Sequence, residues 1–202
     1  MSIRLTAIAA LIALSACAAP PAPANETQAP VEAAAPDAPP TTNGVYIHEG
    51  CEGEGACSLR NWRVAEPTPL LAEGRPGARV IATLAPGQWV AAERLETRLV
   101  PARGVVRDAT REFAAGDVVY RLWYEGEGFT VVWRRGELLS IESEDVEGAP
   151  SIAWEEPAID PATQATLGFW ARVRSEQGQA GWVHEPNFEC TNELAGDPDC
   201  RG

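Results

Sequence analysis

Few side chains in the chain could attack a bond or bind a metal, since 202 residues contain only five Cys and two His. A cysteine hydrolase needs a reactive thiolate, usually at a helix N-terminus, and no strongly helical segment follows an internal Cys. The G-x-S-x-G turn of serine hydrolases and the H-E-x-x-H helix of zinc proteases are both absent from the sequence. We therefore predict no catalytic residue of these types.

Carboxylates offer a second route to catalysis. Glu155 and Glu156 are adjacent, and four acids lie within residues 142–147. A glycosidase needs two carboxylates that flank a cleft, whereas clustered acids in a loop are usually a solvated face. The pattern favours a solvated surface.

The internal Cys residues could either bind zinc or form disulfides. Their spacings are C-x5-C and C-x9-C, whereas zinc sites commonly use C-x2-C. We therefore expect no metal and no other cofactor. The side chains that could bind zinc in such a site are Cys51, Cys57, Cys190, Cys200, His48 and His184.

Residues 1–17 have the pattern of a processing signal. Arg4 precedes the apolar run Leu5–Leu14, which is shorter than the roughly 20 residues that span a bilayer. The run ends in Leu14-Ser15-Ala16-Cys17, which resembles the bacterial lipobox. This resemblance implies cleavage before Cys17 and acylation of its side chain.

The lipobox resemblance also implies a location. Ala18 and Ala19 follow Cys17, and in Gram-negative lipoproteins the absence of Asp there is typical of sorting to the outer membrane. We expect a lipid anchor in the outer membrane, with the chain facing the periplasm. In that oxidising compartment the four remaining Cys predict two disulfides in one of three connectivities. We favour Cys51–Cys57 and Cys190–Cys200, because each pair closes a short loop containing Gly or Pro.

A linker follows the anchor. Residues 18–43 hold 7 Pro and 9 Ala in 26 positions. Pro disfavours both helix and sheet, so this segment is predicted to be a disordered, extended tether.

Residues 44–202 are predicted to form the folded domain, which is mainly β. Short β-branched and aromatic runs alternate with Gly and Pro turns. The clearest is a three-strand meander, 117–124, 129–133 and 138–141, joined by Gly-containing turns. Only Asp108–Ala115 is compatible with a turn or so of helix. The other strand candidates are Ser58–Val64, Pro69–Ala72, Arg79–Leu84, Trp89–Arg94, Leu99–Val106, Ser151–Trp154, Phe169–Val173 and Ala180–Val183.

Two separated segments resemble the bacterial SH3 (SH3b) domain. Leu70–Val90 carries a strand, a Pro/Gly loop, V-I-x-x-L and a Pro-Gly turn, and Phe169–His184 carries a closing G-x-x-G-W-V hairpin. The resemblance implies a small SH3-like barrel. This chain departs from the family in that residues at about 96–167 separate the two segments, so we expect a large insertion that contains the β-meander, either as a second small β unit or as an excursion of the barrel. The two disulfides would staple the ends of the domain.

The SH3b resemblance also implies an aromatic ligand groove, for which the candidates are Trp89, Trp170 and Trp182. For Trp170 and Trp182 we favour the interpretation that they are core residues, since large aromatic rings dominate small cores. Gly181, before Trp182, predicts a close backbone approach at a tight bend.

Charge limits the partners. The chain has 16 Arg, no Lys and 29 acidic residues, a net charge of −13. Nucleic-acid binding requires a basic footprint, so it is excluded.

The sequence favours a non-catalytic envelope lipoprotein that binds peptidoglycan or an envelope protein. One alternative is an envelope enzyme such as a wall-glycan hydrolase. Another is an acidic inhibitor of a basic enzyme such as lysozyme, since the charge would steer a basic partner.

Overall fold

β-strands make up almost all of the regular structure. The computed structural model describes residues 37–52, 57–143 and 149–191, which belong to one compact unit, Ala35–Gly202. The mainly β fold class expected from the sequence is confirmed. The strands are β1 Tyr46–His48, β2 Asn61–Val64, β3 Thr68–Leu71, β4 Val80–Leu84, β5 Trp89–Leu99, β6 Ala102–Val106, β7 Val118–Gly126, β8 Phe129–Arg134, β9 Glu137–Glu142, β10 Ile152–Trp154, β11 Gly168–Ser175, β12 Ala180–His184 and β13 Phe188–Glu189.

The anchor region is not part of the described structure. The expected signal peptide, Cys17 and linker residues 18–36 lie outside the described residues. Thr42 and Val45 pair across a turn, so regular structure is already present at the end of the predicted linker. Within the described ranges, no helix is long and apolar enough to cross a membrane.

The first sheet has eight strands, in the order β13-β2-β5-β11-β12-β3-β4, with β1 also pairing β5. The long strand β5 pairs with β2 near its start, with β1 near its end and with β11 along the other side. The inner face is apolar and includes Trp62, Leu70, Val90 and Val173, each at most 1% exposed. Full burial of each such Leu or Val contributes about 1.5–3 kcal/mol.

The second sheet is inserted between β5 and β11 and has five strands, in the order β10-β6-β7-β8-β9. Both edge strands and all three central strands contribute to one buried cluster, so the sheet curls around a core of its own. One member from each strand is, in chain order, Val106, Val119, Val132, Ile141 and Ile152.

Two tight hairpins join the meander of the second sheet. Glu127 and Gly128 connect β7 to β8, and Arg135 and Gly136 connect β8 to β9. All four residues have positive φ, between 48° and 93°. Two-residue loops of this type match the right-handed twist of paired strands, which explains the Gly at each second position.

The structure corrects two local expectations. The predicted strand Leu99–Val106 is divided between β5 and β6, because Pro101 has no backbone N–H to continue a ladder. Asp108–Ala115 contains no helix. The helix α1, Pro161–Gln164, lies elsewhere and is capped by Asp160, whose side chain accepts two backbone N–H bonds.

The close approach expected at Gly181 is present. A Cβ at this position would lie 2.6 Å from the Leu71 carbonyl oxygen and 2.8 Å from the Leu70 side chain. Because one of these neighbours is backbone, relief requires β12 and β3 to separate.

We therefore expect Gly181→Ala to lower the free energy of unfolding by about 1–3 kcal/mol, as other overpacking substitutions do. Gly77→Asn is the control, since Gly77 has φ +69° with open space around it and Asn tolerates this conformation. Urea unfolding of both variants measures the difference. Equal stability of the two variants would contradict the close approach.

Candidate functional site

Trp170 is buried rather than exposed in a groove. Its side chain is 1% accessible, and its ring lies between the Arg98 guanidinium, 4.7 Å from the ring centroid, and the His184 ring at 4.2 Å. The indole N–H donates to the Thr166 carbonyl at 3.0 Å. Trp170 is therefore a core residue, as the favoured interpretation of the sequence expected, and is not a residue of a ligand groove.

Arg98 explains why Trp170 is covered. Its guanidinium forms a 2.6 Å ion pair with Glu96, and the two side chains are only 13% and 5% exposed. Arg98 also donates to the Gly74 carbonyl at 2.6 Å and lies 5.9 Å from the Trp182 ring centroid. The two tryptophans therefore shield a buried ion pair.

Trp89 lies apart from the other two candidates. It is half-buried and lines a cavity of about 400 Å³ together with Asn61, Arg174 and Glu176 among others. Neither Trp170 nor Trp182 lines that cavity. The three tryptophans thus do not form one groove.

The three cysteines that the structure describes, Cys51, Cys57 and Cys190, are all disulfide-bonded. Cys51 pairs with Cys57, as the sequence favoured. Cys190 is also disulfide-bonded, and its expected partner Cys200 lies outside the described residues. Within the described residues, no three His, Cys, Asp or Glu side chains cluster as metal ligands would.

The described acidic residues singled out from the sequence have different surroundings. Glu155 accepts a hydrogen bond from Arg103, and Glu156 is 89% exposed. Glu142 borders two cavities of the second sheet, and residues 144–147 lie outside the described residues.

These two adjoining cavities form the best candidate site, which we call the groove. The first, the aromatic cavity, has a volume of about 380 Å³ and is bordered by both edge strands, β9 and β10, and by β7 between them. It therefore opens where the curled sheet fails to close. Its polar and aromatic lining is Glu52, Arg121, Trp123, Tyr124, Thr130, Glu142, Ser143 and Trp154.

The second, the edge cavity, has a volume of about 400 Å³ and extends the groove along β9. It shares Ile141, Glu142 and Pro150 with the aromatic cavity. Its opposite wall is the loop before β7, residues 110–113. Together the two cavities fall in the size range of ligand sites.

Trp154 lines the aromatic cavity and is held by contacts on its ring. One part of its ring packs on Gly104, where a Cβ would lie 2.5 Å from the indole, and the Arg121 guanidinium lies 5.1 Å from its centroid. The indole N–H is buried and has no hydrogen-bond partner among the residues that the structure describes. Arg121 is itself weakly held, since its ion pair with the exposed Glu156 is 4.0 Å long.

A stack of rings joins the two sheets beside the groove. The His48 imidazole of β1 lies 3.9 Å from the Trp123 ring of β7 at an interplanar angle of 19°, and Tyr46 flanks the same indole. Burial lowers the pKa of His48. Burial, with the nearby negative charge of Glu185, raises the pKa of Glu52.

Sequence reasoning placed these residues in strands but not in a site. Trp123, Tyr124 and Trp154 lie in segments that the sequence predicts as strands, but no motif in the sequence marks them as a site. The local signal was the aromatic pair at the end of a strand. Their convergence depends on sheet curl, which brings β7 and β10 to one cavity and has no local sequence pattern.

The unsatisfied indole predicts a difference between two matched tryptophans. Trp154 and Trp170 each lie beneath an Arg guanidinium, but among the described residues the Trp170 N–H has an acceptor and the Trp154 N–H has none. We expect Trp170→Phe to cost about 1–3 kcal/mol more unfolding free energy than Trp154→Phe, because it leaves the Thr166 carbonyl without its donor. Chemical denaturation of the two variants provides the measurement, and equal costs would contradict the assignment.

The His48 stack predicts a pH dependence of stability. Because the pKa of folded His48 lies below its ordinary value of 6.5, the unfolded chain binds more protons as pH falls through about 6.5. The contribution of His48 to stability therefore falls from neutral to mildly acidic pH, and His48→Gln should remove that part of the pH dependence. Glu52 has the opposite sign, since a raised pKa favours the folded state as pH falls. The unfolding titrations should therefore compare the Glu52→Gln variant with the double variant that also carries His48→Gln. Equal dependence of the unfolding free energy on pH in these two variants would count against the stack.

Comparison with known proteins leaves the groove as the main basis for functional inference. No family model, curated protein or solved structure matches the chain. A functional conclusion therefore depends on the chemistry of the residues themselves.

Proposed function

We propose that the chain is a non-catalytic, lipid-anchored envelope protein whose β domain binds an envelope partner through the groove. The observation that carries this proposal is the lining of the aromatic cavity at the open side of the curled sheet. Three aromatic rings, a weakly held Arg, two carboxylates and two aliphatic hydroxyls meet there. Open clefts with an apolar wall and a few convergent polar groups are the usual form of a ligand site.

The sequence supports the location in this proposal. The lipobox-like Leu14-Ser15-Ala16-Cys17 supplies an anchor, and residues 18–43 supply a Pro/Ala-rich tether. The Cys51–Cys57 disulfide accords with an oxidising compartment. A tethered binding domain on the outer membrane would reach partners in the periplasm.

Wall glycan is the ligand class that the aromatic cavity favours. Sugar rings have apolar faces that pack on aromatic side chains, and hydroxyl edges that need donors and acceptors. Tyr124 is 44% exposed, and Arg121 and Glu142 supply a donor and an acceptor at the same cavity.

Glycan hydrolysis is a second candidate, and two carboxylates favour it. Glu52 and Glu142 line the same cavity, and the pKa of Glu52 is raised. A raised pKa suits a general acid beside an ionised second carboxylate, which is the arrangement of glycosidases. Hydrolysis and simple binding make different predictions with the same substrate.

We expect residues 18–202 to co-sediment with purified peptidoglycan sacculi, and the pelleted fraction to persist at physiological salt. Tyr124→Ala and Arg121→Gln should each lower it several-fold, because they remove an exposed stacking ring and a donor from the cavity. Leu59→Ala, an exposed apolar residue outside the groove, is the matched control. No pelleting, or equal pelleting of all variants, would overturn the wall-glycan proposal.

The same incubation tests the enzymatic alternative. Release of soluble wall fragments that is lost in both Glu52→Gln and Glu142→Gln, with pelleting retained, would replace binding by hydrolysis. Intact sacculi with bound protein would favour the non-catalytic function.

A further inference from the structure

The outer edge of β9 has hydrogen-bonding groups that no described residue uses. β9 is an edge strand and pairs only with β8. In an antiparallel pair, hydrogen-bonded and non-hydrogen-bonded residue pairs alternate. Ser143 donates to the Gly128 carbonyl at 2.7 Å, which fixes the phase of that alternation.

The register then identifies the free groups. Ile141 and Leu139 lie opposite Thr130 and Val132 and direct their backbone groups toward β8. Leu138, Ser140 and Glu142 therefore direct their N–H and C=O groups outward, away from the sheet. All three residues are exposed. Ser140 and Glu142 also border the edge cavity, so there is open space beside this edge.

The charges around this edge are mostly negative. Glu137 and Glu142 lie at the two ends of β9, Glu125 accepts a hydrogen bond from Ser140, and Glu112 borders the edge cavity. Arg111 is the opposing charge in that cavity. Arg134 and Arg135, at the hairpin before β9, are both paired with Asp117.

We propose that β9 binds an extended, basic segment of an envelope protein as an added strand. Backbone pairing would supply affinity, and Arg or Lys side chains opposite the carboxylates would supply specificity. Carboxylates on an exposed edge also oppose pairing with a second copy of this acidic chain, which fits a basic partner better than self-association. This inference rests on the proposed binding function but not on the glycan ligand of the aromatic cavity.

The test uses a fluorescent eight-residue peptide of alternating Arg and Val, with an alternating Glu and Val peptide as the charge control. Ser140→Pro removes an outward N–H without removing a bond to β8, and Pro is tolerated at such edge positions. Ser140→Ala keeps that N–H and serves as the matched control. We expect Ser140→Pro to weaken binding of the basic peptide at least tenfold and Ser140→Ala less than twofold.

Hydrogen exchange and salt provide independent readouts. The bound basic peptide should slow exchange at the amides of Leu138, Ser140 and Glu142. Its affinity should fall as salt rises, and less steeply in Glu142→Gln. If Ser140→Pro does not fold, a basic peptide N-methylated at alternate residues replaces it, and should bind at least tenfold more weakly than the unmethylated peptide.

Several results would overturn the proposal. They are equal binding of the Pro and Ala variants, equal binding of the acidic peptide, and amide protection that depends on protein concentration alone. The last result would assign the edge to a second copy of the chain. Loss of peptide binding with sacculi still pelleted would reject only this inference, whereas the reverse would reject only the wall-glycan function.

Discussion

The buried ion pair of Arg98 and Glu96 holds together the strands on which the rest of the structure depends. Burying two charges is costly unless each is hydrogen-bonded, and removing one partner of such a pair typically costs about 3–5 kcal/mol. Arg98 meets this condition with bonds to Glu96 and to the Gly74 carbonyl, between the rings of Trp170 and Trp182. One side chain thereby connects β5 with β11, β12 and the loop after β3.

This pair also lies where the chain enters and leaves the second sheet. The chain leaves the first sheet at the end of β5 and returns at the start of β11, where Gly168 is the register partner of Arg98. Fixing that position fixes both ends of the inserted sheet. The stack of His48 on Trp123 adds a second contact between β1 and β7. The sheet that carries the groove is thus attached to the first sheet at the ends of the insertion and through the His48–Trp123 stack. Its own edge strands, β9 and β10, are not paired with each other.

The sequence predicted local features well because their causes are local. Gly in the meander turns, the close approach at Gly181 and the Cys51–Cys57 pairing each follow from a few neighbouring residues. The site was harder to predict. By residue type, Trp170 could line a ligand groove or fill a core. It is a core residue because Arg98 and His184, which are distant in sequence, pack on its ring.

Incomplete closure of the second sheet explains both candidate binding features. A closed barrel would pair β9 with β10, satisfy the outward groups of Ser140 and fill the space beside Trp154 with side chains. In the open sheet, that space becomes the aromatic cavity and the unpaired side of β9 becomes an edge. Exposed edges are usually protected because they invite pairing, and the carboxylates of Glu137 and Glu142 serve that purpose against acidic chains. The same carboxylates leave a basic strand as the partner that this edge does not repel.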